Sequence, residues 1–297
     1  MGRQRKNRGL LKWGGLLALG FIAGAAFVFF LLENGYIQRP SPEVKPPIAS
    51  IPEERPLPPE APPPEAPQPP EAPPGYYPRV AIVIDDMGQD PKKLKELLKL
   101  KEPITIAVIP HLRYSREVAL QASSNGLEVL LHLPMEPKDT EDNDPGKGAL
   151  LTAMSADEVR AQVEQDLKAV PNAIGVNNHM GSKFTEDEIL MRAVLQVVKK
   201  KEMFFLDSRT SSNSVAGRLA RELGVRNADR NVFLDNNRDV KYIKGQISEL
   251  VSIARKRGKA IGIGHPYPET IEALKETVSG LDGKGIVIVK LSEIVEQ

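Results

Sequence analysis

No cysteine occurs among the 297 residues. That absence excludes a disulfide framework and any thiolate metal site, and it leaves His, Asp and Glu as candidate ligands. Nor is there an excess of charge of either sign: 40 Lys and Arg stand against 39 Asp and Glu, a formal net charge of +1. A balance this even gives no electrostatic footprint for nucleic acid, and no nucleic-acid partner is expected. No internal repeat is evident.

Two local absences organise the N-terminal third. Residues 1–12 contain no acid but carry Arg3, Arg5, Lys6, Arg8 and Lys12, and residues 13–32, Trp13 to Leu32, contain no charge at all. At about 1.5 Å per residue such a run matches a hydrocarbon core of roughly 30 Å. Residues 13–32 are therefore expected to form a single transmembrane anchor, with 1–12 as its basic cytoplasmic flank. The implied location is the cytoplasmic (inner) membrane, with the remainder of the chain periplasmic or otherwise extracytoplasmic. A signal peptide cleaved near Ala23-Gly24-Ala25-Ala26 is the alternative, but Phe27-Val28-Phe29-Phe30-Leu31-Leu32 continues the apolar run past that point. Residues 33–78 are packed with proline from Pro40 onward, interleaved with Glu and Ala and nearly devoid of large apolar side chains. Such a segment cannot build a core; it reads as a disordered, extended linker reaching on the order of 100 Å at about 3.1 Å per residue.

From Arg79 to Gln297, short β-branched runs alternate with amphipathic helical patterns, the mark of a parallel α/β sheet. Strands are expected at 80–85, 104–109, 127–133, 173–177, 203–207, 232–234, 260–264 and 286–289. Ser155 with Glu158 and Thr185 with Glu188 have capping-box spacing, and Val159, Val163, Leu167 and Ile189, Ala193, Val197 supply the buried stripes behind them. The fold class is α/β, an irregular (β/α) barrel of seven or eight mainly parallel strands.

Chemistry gathers where these strands end. Asp85 and Asp86 follow the first strand, His111 the second, His132 the third, His179 the fourth, Asp207 and Arg209 the fifth, Asp235 the sixth and His265 the seventh; these include all 4 histidines. In a barrel of parallel strands the C-terminal ends converge on one face, so these residues become neighbours around one pocket. Each has a plainer reading as a turn or rim residue. For His111 the plainer alternative is a structural or substrate-facing role, and Asp235-Asn236-Asn237 reads as a turn.

Ile84-Asp85-Asp86-Met87-Gly88 resembles the Asp-Asp-Gly motif of polysaccharide deacetylases of the nodulation-deacetylase superfamily. Gly126 to Glu136 resembles the strand that carries that superfamily's His-x-x-x-His metal motif. Asn177 to Ser182, Phe205 to Thr210 and Ile263-Gly264-His265-Pro266 are similar to signatures of its divergent branch. The resemblance implies a metal-dependent hydrolase that removes acetyl groups from an envelope or extracellular polysaccharide. It implies Asp85 as general base, Asp86 and His132 as ligands of a divalent metal, and His265 as the acid for the leaving group. Asp207 and Arg209 would orient catalytic groups or stabilise an oxyanion, and Asn177, Asn178 and His111 would face substrate. Zinc is the default for a mixed imidazole and carboxylate set.

Two departures stand out. Glu136 occupies the place of the second metal histidine, and either it or His179 completes the ligand set; the family's Arg-x-Pro-Tyr motif is absent, with Asn177, Asn178 and His179 near its place. Two other readings remain open on the same fold: a non-catalytic module binding glycan or a partner protein, and a different metal-assisted amide or ester hydrolase.

Overall fold

The computed structural model describes residues 77–296. The expected basic flank, transmembrane anchor and nearly all of the expected linker lie outside them. Among the described residues no helix is long and apolar enough to cross a membrane.

The chain alternates strand and helix: β1 (Arg79–Met87), α1 (Pro91–Leu98), β2 (Thr105–Val108), α2 (Ser115–Ser124), β3 (Glu128–Met135), α3 (Ala156–Ala169), β4 (Ala173–Met180), α4 (Glu188–Lys200), β5 (Phe204–Asp207), α5 (Ala216–Leu223), β6 (Asn227–Asp229), β7 (Val232–Phe233), α6 (Val240–Arg257), β8 (Lys259–Gly264), α7 (Pro268–Thr277) and β9 (Val287–Ile288). They form one 9-stranded sheet in the order β6-β5-β4-β3-β2-β1-β8-β7, with β9 on β1, and every pairing is parallel.

The period-two alternation of β1 divides the core in two. Val80, Ile82 and Ile84 join the layer between sheet and helices. Ala81 and Val83 point to the concave side, where they meet Ala107, Leu130, Phe204, Leu206, Ile261 and Ile263. The curled sheet thus has an apolar interior as well as an apolar outside. Gly175 makes room within it: a Cβ there would stand 2.5 Å from the Phe204 ring.

The C-terminal turn seals one end of this interior. Leu291, Ile294 and Val295 enter the concave core, and the same turn is tied to residues at the strand beginnings. Arg79 Nη1 donates to Glu293 O (3.2 Å), Ser292 N donates to Glu128 Oε2 (3.1 Å) and Lys259 Nζ donates to Ile294 O (2.8 Å). The opposite end, where the strands finish, is left for the site.

Three sequence expectations need correction. The barrel is not a closed ladder, because β6 and β7 end the strand order without pairing to one another. Arg230 N bonds to Asp207 O while Asn231 N bonds to Ile261 O, so two residues step from the β5 side to the β8 side and close the curl without a strand pair. β6 itself was not expected, since Asn227-Ala228-Asp229 has no apolar or β-branched signal. The Ser155–Glu158 capping box is formed, but the Thr185 hydroxyl donates to Gly181 O, and Asp187 caps α4 instead. Ile189 is accordingly 72% exposed, while Ala193 and Val197 are buried as expected and Leu190, Met191 and Val194 join them.

Candidate metal centre

Successive residues of a strand normally face opposite sides, so two adjacent acids at the end of β1 cannot both enter one pocket without a break in the pleat. The break is there. The β1–β2 register slips between Ile84 and Met87, and Asp86 has φ 56. This bulge turns Asp86 to the same side as Asp85 and returns Met87 to the outer core. Comparable left-handed residues are Met180 (φ 52), the last residue of β4, and Arg209 (φ 52), two residues past β5. Such backbone costs on the order of 1–3 kcal/mol each and persists where the surroundings demand it.

β3 and β4 bring the imidazoles. His132 is paired in register with Asn177, and Pro134 with His179, so His132, Asn177 and His179 project to one side by the period of two. Asp86 Oδ1 lies 3.2 Å from His132 Nε2 and 3.0 Å from His179 Nδ1, and the two ring nitrogens are 3.2 Å apart. Three donors held about 2.0–2.1 Å from a tetrahedral ion stand roughly 3.3 Å from one another. The triangle therefore has the size of a coordination face. Asp86 Oδ1 is also buried without a hydrogen-bond partner, despite its closeness to both nitrogens. Lone pairs aimed at a common cation produce this pattern. Among the described residues these three form the one group of His, Asp and Glu side chains arranged to hold a metal ion.

Electrostatics agree with the geometry. Burial works to raise the Asp86 carboxyl, but the imidazoles of His132 and His179 outweigh it and hold the group well below the usual carboxylate range. The Asp86 carboxylate is ionised. Burial raises Asp85, despite opposing attraction from His132 and His265; its Oδ2 is 3.5 Å from His132 Nε2. Asn177 links the two: its Nδ2 donates to Asp85 Oδ1 (2.9 Å) and its Oδ1 lies 2.9 Å from His132 Nδ1. On the other side, His265 Nε2 is 3.8 Å from Asp86 Oδ2, and its Nδ1 pairs with Asp235 Oδ1 at 2.9 Å. Burial opposes the imidazolium, yet Asp235 and the nearby aspartates push His265 up to about 9. Asp235 is buried and fixed in turn by the His265 amide (2.5 Å) and the Thr270 hydroxyl (2.8 Å). A cavity of about 250 Å³ opens onto this group, lined by Asp85, Asp86, His132, His179, Phe233 and His265 among others. A cavity of about 340 Å³ elsewhere is lined by the first residues of β6 and β8, Asn227 and Lys259, and holds none of this chemistry.

The other expected site residues fall elsewhere. Glu136 is not in the ligand group; Lys183 Nζ donates to its Oε1 at 2.6 Å, and Thr152 N and Oγ1 donate to its Oε2 at 2.5 and 2.7 Å. Its carboxylate fastens the loop after β3. His111 bonds to Asp166 at 2.7 Å, and burial raises that carboxyl to about 6; neither lines the cavity at the centre. Asn177 is fully buried. Asn178 borders the cavity, but its amide is spent on Met180 O, Thr210 Oγ1 and the Ser208 amide. Asp207 is buried against the Arg209 amide and the Ser214 hydroxyl, and the Arg209 guanidinium lies 3.8 Å from Asp207 and 4.0 Å from Asp229. Asp235 reads on sequence as a turn, although its place at a strand end is the signal for the site. Phe233, at the cavity wall, gives no sequence signal; Arg230 stacks 3.8 Å over its ring and donates to Ser208 O and Arg209 O.

Comparisons with known proteins match this picture. A protein of Escherichia coli K12 described as uncharacterized protein YibQ is 37% identical over 219 residues, 74% of this chain and 68% of that protein. An uncharacterized protein of Haemophilus influenzae Rd is 40% identical over 203 residues, 68% of this chain and 72% of its own length. The crystal structure of uncharacterized protein ATU2773 from Agrobacterium tumefaciens C58 superposes with a TM-score of 0.71 at 26% identity, covering 75% of this chain and 92% of that one. The family model for divergent polysaccharide deacetylases matches residues 82–295, which span β1 to β9 and every group at the centre; the chain belongs to the divergent polysaccharide deacetylase family.

Proposed function

We propose that this protein is a metal-dependent hydrolase that removes acetyl groups from an envelope or extracellular polysaccharide. One observation carries the reading. The Asp86–His132–His179 triangle is flanked by a buried aspartate on one side and an aspartate-backed imidazole on the other. The donor set fits a divalent ion, with zinc the default for two imidazoles and a carboxylate. Bound there, such an ion supplies Lewis acidity, polarising an acyl carbonyl and lowering the pKa of water from about 15.7 toward 7.

The chain's own residues do the rest. Asp85 stands beside the triangle with Oδ1 held by Asn177, leaving Oδ2 to take the proton of an attacking water. Its raised pKa makes it a better acceptor than an exposed carboxylate. His265, held as imidazolium by Asp235, carries a proton on Nε2 for the leaving group. Phe233, whose ring stacks at 6.2 Å with that of His265, keeps water from one side of it. We place the domain outside the cytoplasm, held to the inner membrane by residues 13–32 and spaced from it by residues 33–78.

The test is acetate release from acetylated glycans by the purified full chain. Release that needs a divalent ion and disappears in His132→Ala supports the reading. Release that persists after removal of the metal defeats it.

A further inference from the structure

A second cavity, of about 290 Å³, adjoins the centre. Asp86 and His265 line it as well, together with Met87, Lys93, Pro266 and Tyr267. The two cavities share these two residues. Ring and aliphatic surface dominate the second, which suits the face of a sugar.

Its charge points to what that sugar carries. Lys93 is half-buried on α1, and among the described residues no carboxylate lies within ion-pair distance of it, whereas Lys99 on the same helix pairs with Glu96. Asp90, which also borders the cavity, directs one carboxylate oxygen to the start of α1, accepting from Lys92 N at 2.9 Å. The Arg238 guanidinium lies 3.6 Å over the ring of Tyr267, which lines the cavity. Lys93 thus stands without an ion pair of its own at a mainly apolar cavity that shares Asp86 and His265 with the centre.

Resting on the deacetylase reading, we propose that this cavity receives a carboxylate-bearing sugar unit next to the acetylated one. The carboxylate meets Lys93, and the sugar ring lies against Pro266 and Tyr267. The preferred polymer is an acidic N-acetylated glycan, whose carboxylate belongs to a uronic acid or to a lactyl ether.

The test is equilibrium binding by titration calorimetry with the purified full chain, in chelator so that no metal can take the carboxylate. The first probe is a tetrasaccharide alternating N-acetylhexosamine and uronic acid; the second is an N-acetylhexosamine oligosaccharide bearing 3-O-lactyl groups. Each is compared with its own carboxamide, and the probe with the larger preference identifies the source. At least one acid is expected to bind tenfold or more tighter than its amide. Lys93→Met should bring the ratio within twofold, and Lys93→Arg should keep it. Equal binding of acid and amide by the wild-type chain overturns the inference, as does absence of measurable binding to all four or a preference that survives Lys93→Met. Acetate release from a neutral acetylated chitooligosaccharide is scored separately and bears only on the proposed function.

Discussion

Asn177 Oδ1 lies 2.9 Å from His132 Nδ1, and this contact decides which imidazole nitrogen is free. The Asn177 amide nitrogen faces Asp85 and donates to its Oδ1. Its carbonyl oxygen therefore faces His132 and accepts from Nδ1–H, leaving the Nε2 lone pair for the metal. Asn177→Ala is expected to weaken metal affinity about 10- to 100-fold and to destabilise the fold by about 1–3 kcal/mol through the buried partners it strands. Competition with a chelator measures the first effect and denaturant unfolding the second.

The proposed base Asp85 and the proposed ligand Asp86 are separable although they are adjacent in sequence. Asp85→Asn is expected to leave one divalent ion bound and to lower acetate release by roughly 10²- to 10⁴-fold, the usual scale for losing a general base. Asp86→Asn should lose the ion as well. Metal content by elemental analysis, beside initial rates, distinguishes the two variants.

Glu136 and His179 competed on sequence for the third ligand position. Glu136 accepts from Lys183 and Thr152, so Glu136→Gln should keep metal stoichiometry and affinity while lowering thermal stability modestly. His179→Ala should weaken metal binding about 10-fold or more, as expected for loss of one of three protein ligands. Both are read by titration with zinc.

His265 gives a pH signature. Its folded-state pKa of about 9 lies above the ordinary 6.5. In metal-free protein the protonated ring thus contributes stability that is complete below pH 6.5 and is lost as pH rises through 9, by on the order of 3 kcal/mol. Denaturation midpoints across that window check it, and Asp235→Asn should flatten the change.

Much of this site was legible as residue types at strand ends. Parallel strands make that inference possible, because their C-terminal ends share one face, and Asp86, His132 and His179 meet there across three strands. What the sequence hid is geometric. Adjacent Asp85 and Asp86 share a side only through a bulge, which no local propensity marks. Asp235 looked like a turn because Asn236 and Asn237 follow it, while its role depends on the tertiary approach of β8. Asn177 and Asn178 looked like substrate groups, yet only packing shows that their amides are spent inside the protein. In the fold, the eight expected strands all occur, whereas β6 lacks any apolar pattern and the open seam beside it follows from pairings that period alone does not encode.

The most direct test of the whole account is an anomalous-scattering map of the crystallised protein soaked with zinc. The account expects one peak about 2.0–2.2 Å from Asp86 Oδ1, His132 Nε2 and His179 Nδ1 together. A map with no peak there, or with the ion bound at Glu136 instead, would contradict it.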